Sequence, residues 1–282
     1  MSKLNEKAML VQLSVSQWTA RKYDSKATKL VADSNHTSGD IGKFNKLLIQ
    51  GDEFKCIGKI VNLARAFHYS HTLPWDNNGQ RILPIVGFET YRDGMNDFQS
   101  QFNTAVNNFV IKYPDLKAVA QRVLNGLYKE ADYPQDVASK FNYQVELLPV
   151  PDGGDFRVAL NDDEISSIAD NVTMKVRDAE SKAIKDVWQR VYDAVKHAAS
   201  KLENVDTIFR DSLVDNVKEL AEILPMLNIN DDPELDDIAK RLTETIGKHS
   251  PSALRNYPER RIEVAKDAKA LLADIDAQLG LH

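Results

Sequence analysis

Cysteine is almost absent from this 282-residue chain, and Cys56 is the only one. A single thiol cannot close an intrachain disulfide, so the fold rests on packing and hydrogen bonding, as is usual for proteins of a reducing interior. Cys56 falls in an apolar phase with Phe54 and Ile60, which predicts a small buried hydrophobe and not a nucleophile. Long apolar runs are missing as well. The opening MSKLNEKAML lacks the roughly 7–15 residue apolar core of a signal peptide. No run approaches the roughly 20 residues that span a bilayer. The expectation is a cytoplasmic protein with no membrane partner.

Catalytic signatures are missing too. The chain has no P-loop, no dinucleotide fingerprint, no G-x-S-x-G and no H-E-x-x-H. His68 and His71 have a spacing that could share a metal, with Asp76 as a lone third ligand, but no wider ligand cluster surrounds them. A packed or hydrogen-bonded pair is the expectation. Asn228 to Asp232 resembles a calcium loop, yet Pro233 stands at its sixth position, where an EF-hand needs glycine. Asp152 to Asp155 is a turn flanked by acids, poor for phosphate. These readings predict a protein that is not an enzyme and has no metal or cofactor.

Glycine and proline are absent from the 70 residues between Asp155 and Leu224. Over most of that stretch the apolar residues keep a helical beat. Ile165, Ile168, Val172, Val176, Ala179, Ala183, Val187, Val191, Ala194, Ala198 and Leu202 follow one another at intervals of 3 or 4. A helix of such length needs an apolar partner along it, from this chain or from a second copy. Ala179, Ala183, Val187, Val191, Ala194 and Ala198 form the candidate oligomerisation seam of a coiled-coil-like contact, small enough for close approach.

With 43% apolar and 28% charged residues, the chain reads as globular and not disordered. Its net charge of −6 is unevenly spread. Residues 1–80 hold 11 Lys and Arg against 7 Asp and Glu, residues 81–160 hold 8 against 10, and residues 161–282 hold 17 against 25. A basic head and an acidic body present two kinds of surface.

Along the chain, residues 9–15 alternate like a half-buried strand. Ser16 is placed to cap a helix with Trp18, Ala27, Leu30 and Val31 inward, and a short helix passes through Phe44, Leu47 and Leu48. Phe54 to His68 mark another helix, and residues 72–84 form an irregular segment with two prolines. Phe88, Tyr91, Met95, Phe98, Phe102, Ala105 and Phe109 make an aromatic-faced helix up to Tyr113-Pro114, with a separate helix from Leu116 to Leu127. The period then changes to 2, with strands at 141–149 and 155–160 joined as a hairpin by a Gly-Gly turn. The 9–15 strand is the expected third member of that sheet. Past 161 come the long helix, with an open question of a bend near Asn204, and two helices opened by Asp232-Pro233 and Ser250-Pro251. A last helix carries Ile262, Ala265, Ala268, Leu272, Ile275 and Leu279.

The fold expected is mainly helical α+β. It has a small antiparallel sheet with packed helices in a head at 1–160, and a long-helix body at 161–282. In the head, Trp18, Arg21, Lys22, Tyr23, Lys26 and Lys29 mix rings with cations, as do Arg65, Phe67, His68, Tyr69, Trp75 and Arg81 around residues 65–81. Single-stranded nucleic acid is held by such mixtures, cations following phosphates while rings stack on bases. The candidate interface is Trp18, Arg21, Lys22, Lys26, Lys29, Arg65, Tyr69, Trp75 and Arg81. Core rings with snorkelling cations are the alternative.

Three stretches, LVQLSVSQWTARKYD at 10–24, TLPWDNNGQRILP at 72–84 and VPDGGDFRVAL at 150–160, resemble bacteriophage proteins of unknown function. Some of those sit among phage DNA-metabolism genes. The resemblance covers mainly the first 160 residues, carries no catalytic residue across, and implies a phage setting inside a bacterial cell. The expected function is that of a non-catalytic, self-assembling protein that contacts single-stranded DNA in phage DNA metabolism. A purely structural assembly protein and an inhibitor of a host defence or nuclease system, acting on another protein, are the alternatives.

Overall fold

The computed structural model describes residues 4–37, 42–155 and 161–279. It is mainly helical, with a small antiparallel sheet and a long helix beginning at Asp162. The elements in chain order are α1 (Leu4–Lys7), β1 (Ala8–Ser16), β2 (Arg21–Tyr23), α2 (Ser25–Ser34), β3 (Asn45–Leu47), α3 (Asp52–Ser70), β4 (Leu73–Pro74) and β5 (Gln80–Pro84). Then follow α4 (Phe88–Leu124), β6 (Asn142–Pro149), α5 (Asp162–Glu203), α6 (Ser212–Leu227), α7 (Pro233–Leu242), α8 (Pro251–Asn256) and α9 (Pro258–Leu279). No helix among the described residues is long and apolar enough to cross a membrane.

The sheet runs β4-β5-β1-β6, so β1 is central. Its register with β5 places Ala8 opposite Pro84 and Leu10 opposite Ile82. The irregular segment at 72–84 therefore supplies two strands that its prolines hide from a pattern reading. Both prolines stand at strand ends, where a missing N–H costs little. The turn between them needs Gly79, at φ +90, and Asp76, whose Oδ1 accepts the Asn78 N–H at 2.9 Å. The hairpin's second arm, expected at 155–160, lies outside the described residues apart from Asp155, which ends a 3₁₀ turn from Gly153.

The chain forms two compact units from interleaved segments, whereas the pattern reading divides it at 160/161. The first comprises residues 1–12, 68–91 and 146–282, and the second residues 13–67 and 92–145.

In the first unit α5 is the spine and α9 its main partner, with α6, α7 and β4 also packed on it or on each other. Ala179, Ala183, Val187, Val191 and Ala198 are buried in one core with Val264, Ala265, Ala268, Leu271 and Ile275 of α9. Small residues on both helices let the axes approach. From Ala179 to Leu202 the stripe is thus covered within one chain, while Ile165, Ile168 and Val172 nearer its start are half-buried. Ala194 alone of the seam stays half-buried. α5 ends at Glu203 and the chain leaves the helix at Asn204, which is extended. That end is held by Arg261 of α9, 4% exposed, whose guanidinium reaches the carbonyls of Lys201, Leu202, Asn204, Val205 and Thr207 at 2.5–3.1 Å. No helix-internal donor serves the last carbonyls of a helix, so a buried end demands such a cap.

A second set of bonds ties the end of α3 in this unit. Arg81 donates to the Thr72 hydroxyl and carbonyl, at 2.7 and 2.9 Å. Arg190 of α5 donates to the Ser70 and Thr72 carbonyls, at 3.0 and 2.8 Å, and pairs with Asp186. His68 is buried and joined to the Tyr91 hydroxyl by a 2.7 Å hydrogen bond. Burial, then the charge of Arg81, brings its pKa down to about 4.

The second unit is built on aromatic rings. Phe109 packs on Phe54, Tyr113 and Phe141 at centroid distances of 5.4–5.8 Å, and Phe102 on Tyr143 at 5.6 Å. Gly94 on α4 is explained by Phe67, whose ring a Cβ there would meet at 2.3 Å. α4 runs unbroken through Pro114, where the sequence predicts two helices. Proline removes one N–H and strains the preceding turn. The buried Phe109, Tyr113 and Ala120 hold the helix on either side of an exposed Pro114.

Three further expectations are corrected here. Cys56 is exposed, because it sits at the edge of the buried face of α3 formed by Ile57, Ile60, Val61 and Ala64. Ser16 ends a strand and caps nothing, the helix starting later from Asp24. Residues 45–47 are a strand and not a helix, paired with β2.

Candidate nucleic-acid interface

The second unit holds 15 Lys and Arg against 11 Asp and Glu, the first 21 against 31. The cations singled out in the sequence cluster where β2, α2 and β3 meet. β2 and β3 pair with Arg21 opposite Leu47, Lys22 opposite Lys46 and Tyr23 opposite Asn45. Strand alternation puts Arg21, Tyr23, Asn45 and Leu47 on one face of this ribbon. All four are exposed, Tyr23 at 47% and Leu47 at 43%.

The other face carries Lys22, which is exposed, opposite Lys46, which is locked inward. Lys46 is 2% exposed and its ammonium reaches Asp24 at 3.2 Å, Asp132 at 2.8 Å and the Leu127 carbonyl at 2.6 Å. Asp24 also caps α2, its Oδ1 accepting the Ala27 N–H at 3.1 Å, and its own N–H donates to the Phe44 carbonyl. The Ala27 N–H, followed by the side-chain bond and charge of Lys46, holds the Asp24 carboxyl below its usual range against the cost of burial. Burial alone would lower the Lys46 pKa, but hydrogen bonds and charge from Asp132 and Asp24 hold it above the usual lysine value. The ribbon and the start of α2 are therefore fixed as one piece. No pattern in the sequence announces Lys46 as an anchor, since a lysine flanked by Asn45 and Leu47 reads as surface.

α2 buries none of its residues. Lys26 and Lys29, three apart on one helix face, are exposed, and so are Leu30 at 71% and Val31 at 52%, both expected inward. Arg21, Lys22, Lys26, Lys29 and Lys43 make no ion pair among the described residues. Trp18 is half-buried, edge-on to Phe54 and Tyr113 at 6.2 and 5.9 Å.

The other group of predicted residues is not gathered into a comparable face. Trp75 is 5% exposed in the core of the first unit, with Lys175 5.8 Å from its ring. Arg81 is committed to Thr72 and stacked 4.8 Å over Tyr69. Tyr69 is exposed in the first unit, and Arg65 is exposed in the second. Among the described residues no group of three metal-ligating side chains occurs. No family model, no curated protein and no solved structure matches the chain.

Proposed function

We propose that the protein is a non-catalytic binder of single-stranded nucleic acid, which it holds on the β2–β3 ribbon and the adjoining face of α2. The observation that carries this reading is the exposed ring of Tyr23 set two residues from Arg21 on one ribbon face, with Lys22, Lys26, Lys29 and Lys43 nearby in sequence and without ion pairs among the described residues. A ring with guanidinium beside it offers a stacking platform, and the lysines supply phosphate contacts that need no base sequence. The buried Asp24–Lys46–Asp132 cluster supports the reading because it pre-organises the platform without neutralising its surface. The resemblance to bacteriophage proteins favours a setting in phage DNA metabolism.

Of the residues marked by sequence, Arg21, Lys22, Lys26 and Lys29 belong to this surface, Tyr23 and Lys43 join it, and Trp18 supports it from the aromatic core. The test is fluorescence anisotropy of a labelled oligonucleotide of about 30 bases across a salt series. Arg21→Ala with Lys22→Ala should weaken binding and lower the salt slope by roughly 0.7 per lost phosphate contact. Tyr23→Ala should cost about 1–3 kcal/mol of binding with the salt slope unchanged. No binding by the wild type at low salt sinks the reading.

A second reading has its own observation. Leu30 and Val31 leave an apolar strip in water beside the cations, which suits an acidic protein partner. Loss of DNA binding together with capture of an acidic protein through Leu30 would select it.

A further inference from the structure

The acidic first unit contains a cavity whose lining carries cations and no acid. It measures about 310 Å³ and is lined by Ala194, His197 and Lys201 of α5, by the loop residues Ile208 to Arg210, and by Ser212, Leu213, Asn216 and Val217 of α6. Residues 194, 197 and 201 lie three and four apart, so they share one face of α5. Residues 213, 216 and 217 do the same on the first turns of α6. The wall between them is apolar, with Phe209, Leu213 and Val217 buried.

The polar side chains are unoccupied. His197, Lys201, Arg210, Ser212 and Asn216 make no side-chain hydrogen bond or ion pair among the described residues. Some cations of this unit are consumed by neighbours, Lys7 by Asp231, Arg241 by Asp274, Lys269 by Glu203 and Arg255 by Asp211, while others such as Lys182, Lys218 and Lys266 make no ion pair among the described residues. A further positive charge lies behind the wall. Arg261 sits 5.1 Å from the Phe209 ring centroid, and its partners are carbonyls, whose partial charges offset it without a formal counter-ion. A cleft lined by one sign over low-dielectric walls concentrates potential, here in a unit with ten more acids than bases. At its lip Ile208 is 94% exposed, an apolar side chain with nothing over it.

We infer that this cavity binds a small organic anion, one phosphate or carboxylate group joined to a flat apolar body. Lys201 and Arg210 take the anionic group, with His197, Ser212 and Asn216 as hydrogen-bonding neighbours. Phe209, Leu213, Val217 and the overhanging Ile208 enclose the apolar part. The volume suits one such molecule at the small end of ligand pockets. This site is separate from the nucleic-acid surface and does not depend on it.

The experiment is calorimetric titration of the full chain with phenyl phosphate, and in parallel with benzoate, inorganic phosphate and benzyl alcohol. Saturable binding of phenyl phosphate is expected, with inorganic phosphate weaker and benzyl alcohol silent. Lys201→Gln with Arg210→Gln should weaken phenyl phosphate by about tenfold or more at an unchanged melting temperature. The His197 ring resonance, assigned by its loss in His197→Gln, should move during the titration. Benzoate equal to phenyl phosphate identifies a carboxylate head, and weaker benzoate a phosphate head. Arg21→Ala with Lys22→Ala leaves this binding intact. No saturable binding of either aromatic anion, or binding that the double variant retains in full, overturns the proposal, as does a stationary His197 signal.

Discussion

Each unit of the molecule buries a cation, and the two are balanced by different means. In the first, Arg261 is surrounded by five backbone carbonyls at the end of α5. In the second, Lys46 is clamped by two carboxylates and one carbonyl. The side chains are not interchangeable. A planar guanidinium has five donors in a fixed fork and spreads its charge over them, so it can serve a helix end whose carbonyls each carry a fraction of a charge. A lysine ammonium is a point charge on a flexible stem, and in a buried position it needs formal counter-ions. Arg261 thus closes a helix end, whereas Lys46 fastens a ribbon to the segment bearing Asp132.

The comparison breaks first at Arg261. Arg261→Met leaves a buried helix end without donors, and should cost about 3–5 kcal/mol in urea unfolding. Arg261→Lys should recover less than half of that, because one ammonium cannot reach carbonyls spread from Lys201 to Thr207. Full recovery by lysine would show that charge alone matters there. Lys46→Met should follow with a loss of about 3 kcal/mol, from two carboxylates left buried without a cation. Adding Asp24→Asn should restore part of it, measured as a coupling in a double-mutant cycle. Strict additivity of the two changes would contradict the clamp.

How much of this was legible in the sequence depends on whether a feature has a period. The spans of α3, α5, β1 and β6 follow from spacing, because a helix or strand with one buried face must repeat. The stripe on α5 is real, but spacing cannot say which helix covers it. Ala265 and Ala268 of α9 do so, and they stand more than 60 residues on. Features carried by single residues were lost. Asp24 as a cap and Lys46 as its anchor belong to a ribbon of three-residue strands, too short to show alternation. Pro114 reads as a stop because local propensity says so, and packing by Phe109 and Tyr113 overrides it. Of the candidate interface, the stretch from Arg21 to Lys29 could be found by composition, since four cations against one acid, Asp24, are visible in a string of letters. Trp75 and Arg81 have the same composition, yet they are claimed by the core and by Thr72, which only the fold reveals. The cationic cavity was invisible, since His197, Lys201 and Arg210 read as ordinary solvated positions.

The units differ in pH response as well. His68, in the first unit, is neutral in the fold down to about pH 4, while in an unfolded chain it takes a proton near 6.5. The unfolded state therefore binds more protons in this interval. Stability from His68 is complete above pH 6.5 and declines as pH falls toward 4, by about 2–3 kcal/mol in all. His249, lowered chiefly by burial, acts in the same direction. Urea midpoints at pH 7, 6 and 5 for wild type and His68→Gln should diverge least at pH 5, if the variant retains the fold. Parallel curves would mean that His68 is not neutral in the native state.

The smallest effect is expected on α2, and it separates a surface helix from a core one. The sequence places Leu30 and Val31 inward, but both are more than half exposed and α2 contributes no buried residue. What holds the helix is its start: the Asp24 cap, and Thr28, whose hydroxyl donates to the Asp24 carbonyl and accepts the Phe44 N–H. Leu30→Gln with Val31→Gln should therefore change unfolding free energy by no more than about 0.5 kcal/mol, the range of ordinary surface substitutions. Thr28→Val should cost more than this pair of changes, since it strips the Phe44 N–H of its acceptor. A loss above about 2 kcal/mol from the glutamine pair would instead mean that the helix packs its apolar side, as large core deletions do. The platform beside it would then be a covered surface, and Lys26 and Lys29 would no longer be open to phosphate.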